Sequence, residues 1–279
     1  MKEKGYVMHV QRFSLNDGPG IRSTAFLKGC SLRCAWCHNP ESWKTEPQTL
    51  YYEKKCVHCG ACARGGAEAC LYGARVMVGR LCSAEELVTL LLRDMRFFAR
   101  GGGVTFSGGE TLLQADFTAV CLRELKKAGV HTCVDTALHV PAEAVQAVIP
   151  YTDLFLADLK SINPDVHRQI TGAGNHMILD NLRLISRTGI PMWIRMPLAA
   201  GINDSPEDLR KTADFLSGLA GVVRVDLLPV LDHADEKYRA LGLEPPRFSR
   251  DVDVAALIHR AAGYLDTDSR GTLPLHQII

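Results

Sequence analysis

The sequence predicts an α/β protein: an open, partial (β/α)6 barrel with a small cysteine-rich insertion. Three observations carry this. Short β-type runs alternate with longer helical patterns from Val104 onward, a further β-type run leads into a cysteine loop near the start, and polar residues recur where the β-type runs end. The first strand is predicted over 23–27, followed by the cysteine loop and, later, a helix over 84–98. Strands over 104–107, 132–135, 154–158, 192–196 and 223–229 alternate with helices over 112–128, 142–148, 178–188, 206–219 and 252–265. Strand–helix units in series imply a parallel sheet with right-handed crossovers. Six units are too few to close the eight-unit barrel, so the sheet stays open. Residues 47–80 break the rhythm. They are rich in Gly, Ala and Cys with little periodicity, and read as an insertion organised by metal between two barrel segments, 1–46 and 81–279. The tail beyond Asp266 reads as a loop and a short terminal segment.

Composition removes several classes of function. With 279 residues and 47% hydrophobic residues, the chain can bury a large core. No apolar run approaches the roughly 20 residues that span a bilayer, and the first residues lack the apolar stretch of a secretory signal. Net charge is +1 with both signs interspersed, which is not a nucleic-acid footprint. The expected setting is cytoplasmic, with neither membrane nor nucleic acid as partner.

The ten cysteines are the most informative residues. In a reducing compartment, clustered cysteines read as metal ligands rather than disulfides. Cys30, Cys34 and Cys37 have the spacing C-x3-C-x2-C, with Trp36 before the last. A [4Fe–4S] cube has four iron corners, so three thiolates leave one iron open to bind a small molecule. Zinc with a further ligand such as His38, or part of an ordinary ferredoxin-type cluster, are the alternatives. Cys56, Cys59, Cys62 and Cys70 form a second group, C-x2-C-x2-C-x7-C, that reads as a fully capped auxiliary [4Fe–4S] cluster, with zinc again the alternative. The usual bacterial run is C-x2-C-x2-C-x3-C-P; here the last interval is seven and Leu71 replaces the proline. Cys82 is ambiguous, and Cys121 and Cys133 read as small buried hydrophobes.

Reacting groups in parallel α/β folds gather at the carboxyl ends of the strands. The six predicted strands lead to Cys30, to Ser107-Gly108-Gly109-Glu110, to Asp135-Thr136, to Asp158-Leu159-Lys160, to Arg195, and to a loop containing His233. Asp135, Asp158 and Lys160 would be costly to bury unpaired, and an Asp–Lys pair closing the barrel mouth is the plain reading.

At these residues the chain resembles a known family. C-x3-C-x-aromatic-C is the cluster signature of the radical S-adenosylmethionine (SAM) enzymes. Asp17-Gly18-Pro19-Gly20-Ile21-Arg22, Cys37-His38-Asn39-Pro40, Gly101-Gly102-Gly103-Val104-Thr105-Phe106-Ser107-Gly108-Gly109-Glu110, Asp135-Thr136, Asp158-Leu159-Lys160 and Trp193-Ile194-Arg195 resemble the glycyl radical enzyme activating enzymes of that superfamily, over nearly the whole chain. The resemblance implies that the cluster at Cys30, Cys34 and Cys37 cleaves SAM, and that the resulting radical takes a hydrogen from a glycine of a partner glycyl radical enzyme, with flavodoxin or ferredoxin as reductant. It implies that Ser107 to Glu110 hold the methionyl amino group. Lys160, Asp135, Trp36, His38, Arg195 and His233 are expected around the cofactor, and Asp17 at the groove for the glycine loop. Asp135, Thr136, Asp158 and the Leu156 carbonyl resemble a monovalent-cation site.

The chain also departs from the family pattern. Thr111 stands where proline is more frequent, and Leu138 where glycine is. Leu231 occupies the place of a histidine, for which His233 is the candidate substitute. Many activases have eight cysteines in the insertion; this chain has four, or five with Cys82, so one auxiliary cluster is expected. The rival readings are a radical SAM enzyme with a small-molecule substrate and a non-catalytic iron–sulfur electron carrier.

Overall fold

The computed structural model describes residues 3–98, 101–231, 234–247, 252–265 and 274–277. Its strands are β1 Lys4–Ser14, β2 Arg22–Leu27, β3 Gln48–Tyr51, β4 Arg75–Val78, β5 Arg80–Ser83, β6 Gly103–Gly108, β7 His131–Thr136, β8 Leu154–Asp158, β9 Met192–Leu198, β10 Val222–Pro229 and β11 Leu275–Gln277. The helices are α1 Ala61–Gly65, α2 Ala84–Leu92, α3 Ala115–Lys127, α4 Ala142–Val148, α5 Pro164–Thr171, α6 His176–Ser186, α7 Pro206–Ser217, α8 Asp235–Ala240 and α9 Val254–Leu265.

Nine strands form one sheet in the order β11-β10-β9-β8-β7-β6-β2-β1-β5. From β2 to β11 neighbouring strands are parallel, whereas β1 runs antiparallel to both β2 and β5. The six predicted strands are thus contiguous and parallel, β11 adds a further parallel strand at one edge, and β1 and β5 extend the other edge. The predicted tail segment meets β11; the rest of the tail lies outside the described residues.

Register explains how one sheet serves both a core and a site. Successive strand side chains point to opposite faces. Val104, Phe106, Val134, Phe155, Ala157, Ile194, Val225 and Leu227 face the helices and pack with Leu87, Leu122, Leu125, Leu182, Ile185, Leu216 and Ile258 in the main core. The alternate residues share the opposite face, with Asp135 beside Leu156, Asp158 beside Arg195, and Arg195 beside Asp226. A one-residue slip in any of these strands would bury its charges under the helices.

The helices end where local chemistry dictates. Ser83 caps α2 in a reciprocal capping box with Glu86. The predicted helix over 84–98 stops at Leu92, and residues 95–97 make one 3-10 turn. Asp94 is taken instead by Arg12 and by the Ser23 hydroxyl, at 2.7 Å. Helix α5 was not predicted, although Asn163 caps it by accepting the amides of Asp165 and Val166, with Pro164 in its first turn.

Residues 48–78 form a separate antiparallel pair, β3 with β4, in which Tyr51 faces Arg75. The cysteine loop 52–74 closes this pair.

Candidate active site

The carboxyl ends of the parallel strands surround a cavity of about 310 Å³, within the range of small-molecule sites. Cys30, Cys34 and Cys37 line one side with Trp36 and His38; Ser107, Gly108, Gly109, Asp135, Thr136, Asp158, Lys160, Arg195 and Asp17 line the rest.

The cysteine loop is shaped by the backbone around it. The amides of Arg33 and Ala35 donate to the carbonyls of Thr171 and Ile170 at the end of α5, both at 2.8 Å, satisfying carbonyls that a helix end leaves open. Trp36 packs with Ile170 and Ala199. After Cys37 the chain is tied to α8: the Lys237 ammonium donates to the His38 carbonyl (3.1 Å), Asn39 Oδ1 (2.7 Å) and Glu41 Oε1 (2.6 Å). Tyr238 lies edge-on to Trp43, and His38 meets the Leu231 carbonyl at 3.0 Å. The sequence reading missed Lys237, since nothing local in α8 points to a loop about two hundred residues earlier.

The residues present fit an iron–sulfur cluster. All three thiols are free and line the cavity. Burial pushes each of them up to about 11, so in the apoprotein they are neutral and cluster assembly must release protons. The Lys160 charge opposes this at Cys30 and Cys34, favouring thiolate. Among the described residues, no group of three or more His, Cys, Asp or Glu could hold a metal ion. A single ion needs its ligands around one centre, whereas a cluster takes one thiolate at each of several irons.

Gly108 adopts φ +120°, and a side chain on it would collide with the Leu27 backbone; one on Gly109 would collide with the Gly29 carbonyl. The glycines therefore press the end of β6 against the segment entering Cys30, and the amide of Glu110 donates to the Gly29 carbonyl at 2.7 Å.

Two acids and two bases interlock across the cavity. Lys160 Nζ lies 2.6 Å from Asp158 Oδ2, Arg195 Nη1 3.1 Å from Asp135 Oδ1, and the Ser107 hydroxyl donates to Asp135 Oδ2 at 2.6 Å. Burial works against the Lys160 charge, but Asp158 outweighs it and holds the ammonium above its ordinary value. Asp135 likewise raises Arg195. Asp17 accepts from the hydroxyls of Ser14 (2.6 Å) and Thr24 (2.7 Å), and its own carbonyl accepts from Thr105 at 2.6 Å.

Two expected site residues stand off the cavity lining, and a third lies outside the described residues. Glu110 does not line the cavity. It is buried, and its carboxylate accepts from the Thr136 hydroxyl (2.6 Å) and from the amides of Ala137 (3.0 Å) and Leu112 (3.1 Å), joining the ends of β6 and β7. The reason is reach: the turn after Gly109 aims the side chain at the β7 end rather than into the cavity. The Leu156 side chain also lies off the cavity wall, packed with Cys133, Leu154 and Trp193, which leaves the expectation for its carbonyl untouched. His233 lies outside the described residues. Cys82 is buried in the main core with Cys121, away from the other cysteines, and Cys133 packs with Leu154 and Leu156.

Burial raises Glu110 to about 7, partly offset by its three hydrogen bonds. An acid held above its unfolded value binds more protons in the native state between the two values, so stability falls as pH rises there. Apoprotein stability is therefore expected to drop from about pH 4.5 to 7 through this group, and Glu110→Gln to flatten that part of the profile. Urea unfolding across pH checks it; an unchanged slope in the variant would refute the assignment.

Leu138 adopts φ +58°, the left-handed conformation a glycine takes freely, at a cost of roughly 1–2 kcal/mol for a side-chain-bearing residue. Its side chain is fully buried in the core, its amide donates to Thr136 Oγ1 at 2.9 Å, and its carbonyl accepts from Asn181 at 2.9 Å. The turn after Thr136 thus keeps a glycine-like path without glycine.

In the insertion, Cys56, Cys59, Cys62 and Cys70 line one cavity of about 250 Å³. The seven-residue interval is folded rather than slack. Helix α1, Gly66 at φ +65° and a 3-10 turn over Ala67–Ala69 bring Cys70 back to the same cavity.

The comparisons with known proteins agree with this geometry. The radical SAM superfamily pattern matches residues 24–216. The chain is 37% identical over 272 residues to the (2S)-3-sulfopropanediol dehydratase activating enzyme of Klebsiella oxytoca, covering 86% of each chain. It is 38% identical over 261 residues to the trans-4-hydroxy-L-proline dehydratase activating enzyme of Clostridioides difficile, covering 83% of this chain and 86% of that one. To the pyruvate formate-lyase 2-activating enzyme of Escherichia coli it is 38% identical over 237 residues, covering 85% and 80%. In fold, it is similar to a radical SAM methyltransferase from Sphaerobacter thermophilus, with TM-score 0.59 and 17% identity over 98% of this chain and 76% of that one. No helix among the described residues is long and apolar enough to cross a membrane. With the cysteine triplet, the glycine turn and the interlocked charges meeting at one cavity, the chain belongs to the radical SAM superfamily, among its glycyl radical enzyme activating enzymes.

Proposed function

We propose that the chain installs the radical on a partner glycyl radical enzyme, using SAM and a [4Fe–4S] cluster held by Cys30, Cys34 and Cys37. The observation that carries this is the single cavity on which those thiols, the Ser107–Gly109 turn, Lys160, Arg195 and Asp17 all stand. When bound, the cluster supplies the electron that splits SAM into methionine and a 5′-deoxyadenosyl radical, and the radical takes a hydrogen from the partner's glycine. The protein's part is positioning and the exclusion of other reactions. Lys160 and Arg195 offer cations to the SAM carboxylate, while Ser107 and the Gly108–Gly109 backbone receive its amino end. Trp36 and His38 border the cofactor on the cysteine side. Asp17, fixed by Ser14 and Thr24, faces the space left for the glycine loop. Glu110 supports this arrangement from behind, by holding Thr136 and Ala137.

The reading extends to an auxiliary [4Fe–4S] cluster on Cys56, Cys59, Cys62 and Cys70, and to flavodoxin or ferredoxin as electron donor. A monovalent cation at Asp135, Thr136, Asp158 and the Leu156 carbonyl would share its carboxylates with Arg195 and Lys160. A cytoplasmic setting suits this oxygen-sensitive chemistry.

The test is anaerobic reconstitution with iron and sulfide, followed by dithionite and SAM. Formation of 5′-deoxyadenosine is expected without any partner. A glycyl radical signal in electron paramagnetic resonance (EPR) is expected with at least one of the enzymes that the relatives name, among them (2S)-3-sulfopropanediol dehydratase, choline trimethylamine-lyase, trans-4-hydroxy-L-proline dehydratase, isethionate sulfite-lyase, indoleacetate decarboxylase and pyruvate formate-lyase 2. No 5′-deoxyadenosine from protein with both clusters loaded would sink the proposal.

A further inference from the structure

A polar atom behind the cysteine triplet is left without a partner. Trp43 as a whole is half-buried, but its indole Nε1 is shut off from solvent and meets no hydrogen-bond acceptor among the described residues. A buried N–H costs its desolvation unless it finds an acceptor, so such an orphan calls for a reason. The group it faces is the Cys37 sulfur, where the indole N–H favours the thiolate, as the Asn39 amide does.

The ring is fixed in this position. The Trp43 carbonyl accepts from the Cys30 amide at 3.4 Å, and the Ser42 carbonyl accepts from the Gly29 amide at 2.7 Å. The Trp43 amide donates to the Pro40 carbonyl at 3.2 Å, which closes the turn after Cys37. The Arg33 guanidinium lies 5.2 Å from the indole ring centre and donates to the Cys30 and Leu32 carbonyls, both at 2.7 Å. Tyr238 stands edge-on to the ring, with centres 5.8 Å apart. The backbone of Trp43 is thus fastened to one cysteine of the triplet, and its indole is turned to another.

The three thiols are not equally supported. Cys30 receives the Leu32 amide and Cys34 its own, whereas Cys37 receives the Asn39 amide and faces the indole N–H in addition. Glu41, whose charge opposes a thiolate at Cys37, is held by Lys237 at 2.6 Å. Hydrogen bonds to the sulfurs are among the factors that set the potential of an iron–sulfur cluster. Reduction adds a negative charge to the cluster, so a donor at a sulfur stabilises the reduced form more than the oxidised one.

We infer that the Trp43 indole N–H donates to the Cys37 sulfur of the loaded cluster and raises its reduction potential, easing electron entry. The inference rests on the [4Fe–4S] reading of the triplet. Trp43 does not line the cavity, so it is a positioning residue that acts through Cys37.

The experiment uses the full chain reconstituted anaerobically, as wild type, Trp43→Phe and Trp193→Phe. Trp193 is the control, since it packs with Cys133, Leu154 and Leu156. Iron content is measured, and a redox titration is followed by EPR on the signal that SAM alters, which belongs to the triplet cluster. Trp43→Phe keeps the apolar ring and removes the N–H. It is expected to hold the cluster, with the reduced-to-oxidised ratio at a fixed potential about tenfold lower, equivalent to a midpoint about 59 mV more negative for one electron. Trp193→Phe should titrate as wild type. A change of less than about twofold in Trp43→Phe, or an equal change in Trp193→Phe, would overturn the inference. A second measurement covers a Trp43→Phe variant that fails to load. Wild type with its tryptophans isotopically labelled at the indole nitrogen should show coupling of that nitrogen to the reduced cluster in electron–nuclear double resonance. The coupling should persist in labelled Trp36→Phe; its absence from wild type, or its loss in Trp36→Phe, would overturn the inference. No cluster on the triplet in wild type would overturn the cluster reading itself, and this inference with it.

Discussion

Cys34→Ala is expected to eliminate SAM cleavage, whereas Cys59→Ala leaves part of it. The two cysteines stand in different cavities, one shared with Lys160 and Arg195 and the other confined to the insertion. In the proposed cluster each thiolate of the triplet would cap its own iron, so with one absent the remaining two could not hold a cube that already has an open corner. The loss should exceed roughly 100-fold, the upper range for removing a residue that merely supports a ligand. Cys59 lines a cavity that touches neither the glycine turn nor the charged residues, so as one of four proposed ligands there its loss would act only through electron supply or docking. The measurement is 5′-deoxyadenosine yield with dithionite, together with iron content and EPR of each variant. If both variants lose the SAM-binding cluster equally, the two cavities do not hold independent clusters.

The second large effect concerns stability. Arg22→Ala is expected to destabilise the protein by about 3–5 kcal/mol, from the buried acceptors it leaves unpaired and the cavity it opens. Arg22 is fully buried, and its guanidinium donates to Thr105 Oγ1 (2.7 Å), and to the carbonyls of Pro19 (3.0 Å), Val104 (2.6 Å) and His131 (3.2 Å). Alanine would leave these acceptors without a donor and open a cavity among β2, β6 and β7. The melting temperature of the anaerobic apoprotein should fall on the order of 10 °C; a fall within about 2 °C would show that the clamp contributes little. A functional consequence is built in. Arg22 holds Pro19, and Thr105, which accepts from Arg22, donates to the Asp17 carbonyl. Loosening Arg22 therefore displaces Asp17 as well.

How far the sequence could be read depends on the range of the interactions involved. The six central strands were legible because each is a buried run bounded by turn residues. The same alternation that buries Phe106, Val134 and Phe155 sends Ser107 and Asp135 to the other face. β1 was missed because most of its residues are half-buried or exposed, with His9, Gln11 and Arg12 breaking the apolar pattern. The helix over 84–98 was drawn too long because its apolar period continues to Phe98, while the contact that ends it, Asp94 with Arg12, spans 82 residues. The same limit applies at the site. The local motif around Glu110 says that a carboxylate follows a glycine turn. Its partners, Thr136 and Ala137, lie at the end of the next strand, and only the fold reveals them. Lys237 is the extreme case, tied to residues 38–41 from the far end of the chain.

The β3–β4 pair has a wider meaning. Because Tyr51 faces Arg75, the two ends of the cysteine loop are held side by side whatever the loop contains. The chain enters and leaves the loop through this short stem, and lengthening a loop whose ends are already joined adds only about 0.6 kcal/mol for each doubling. The stem thus acts as a socket. A longer cassette with more cysteines, or a short turn with none, could be exchanged there while the cavity at the strand ends keeps its shape, so whatever the loop carries can change independently of the barrel.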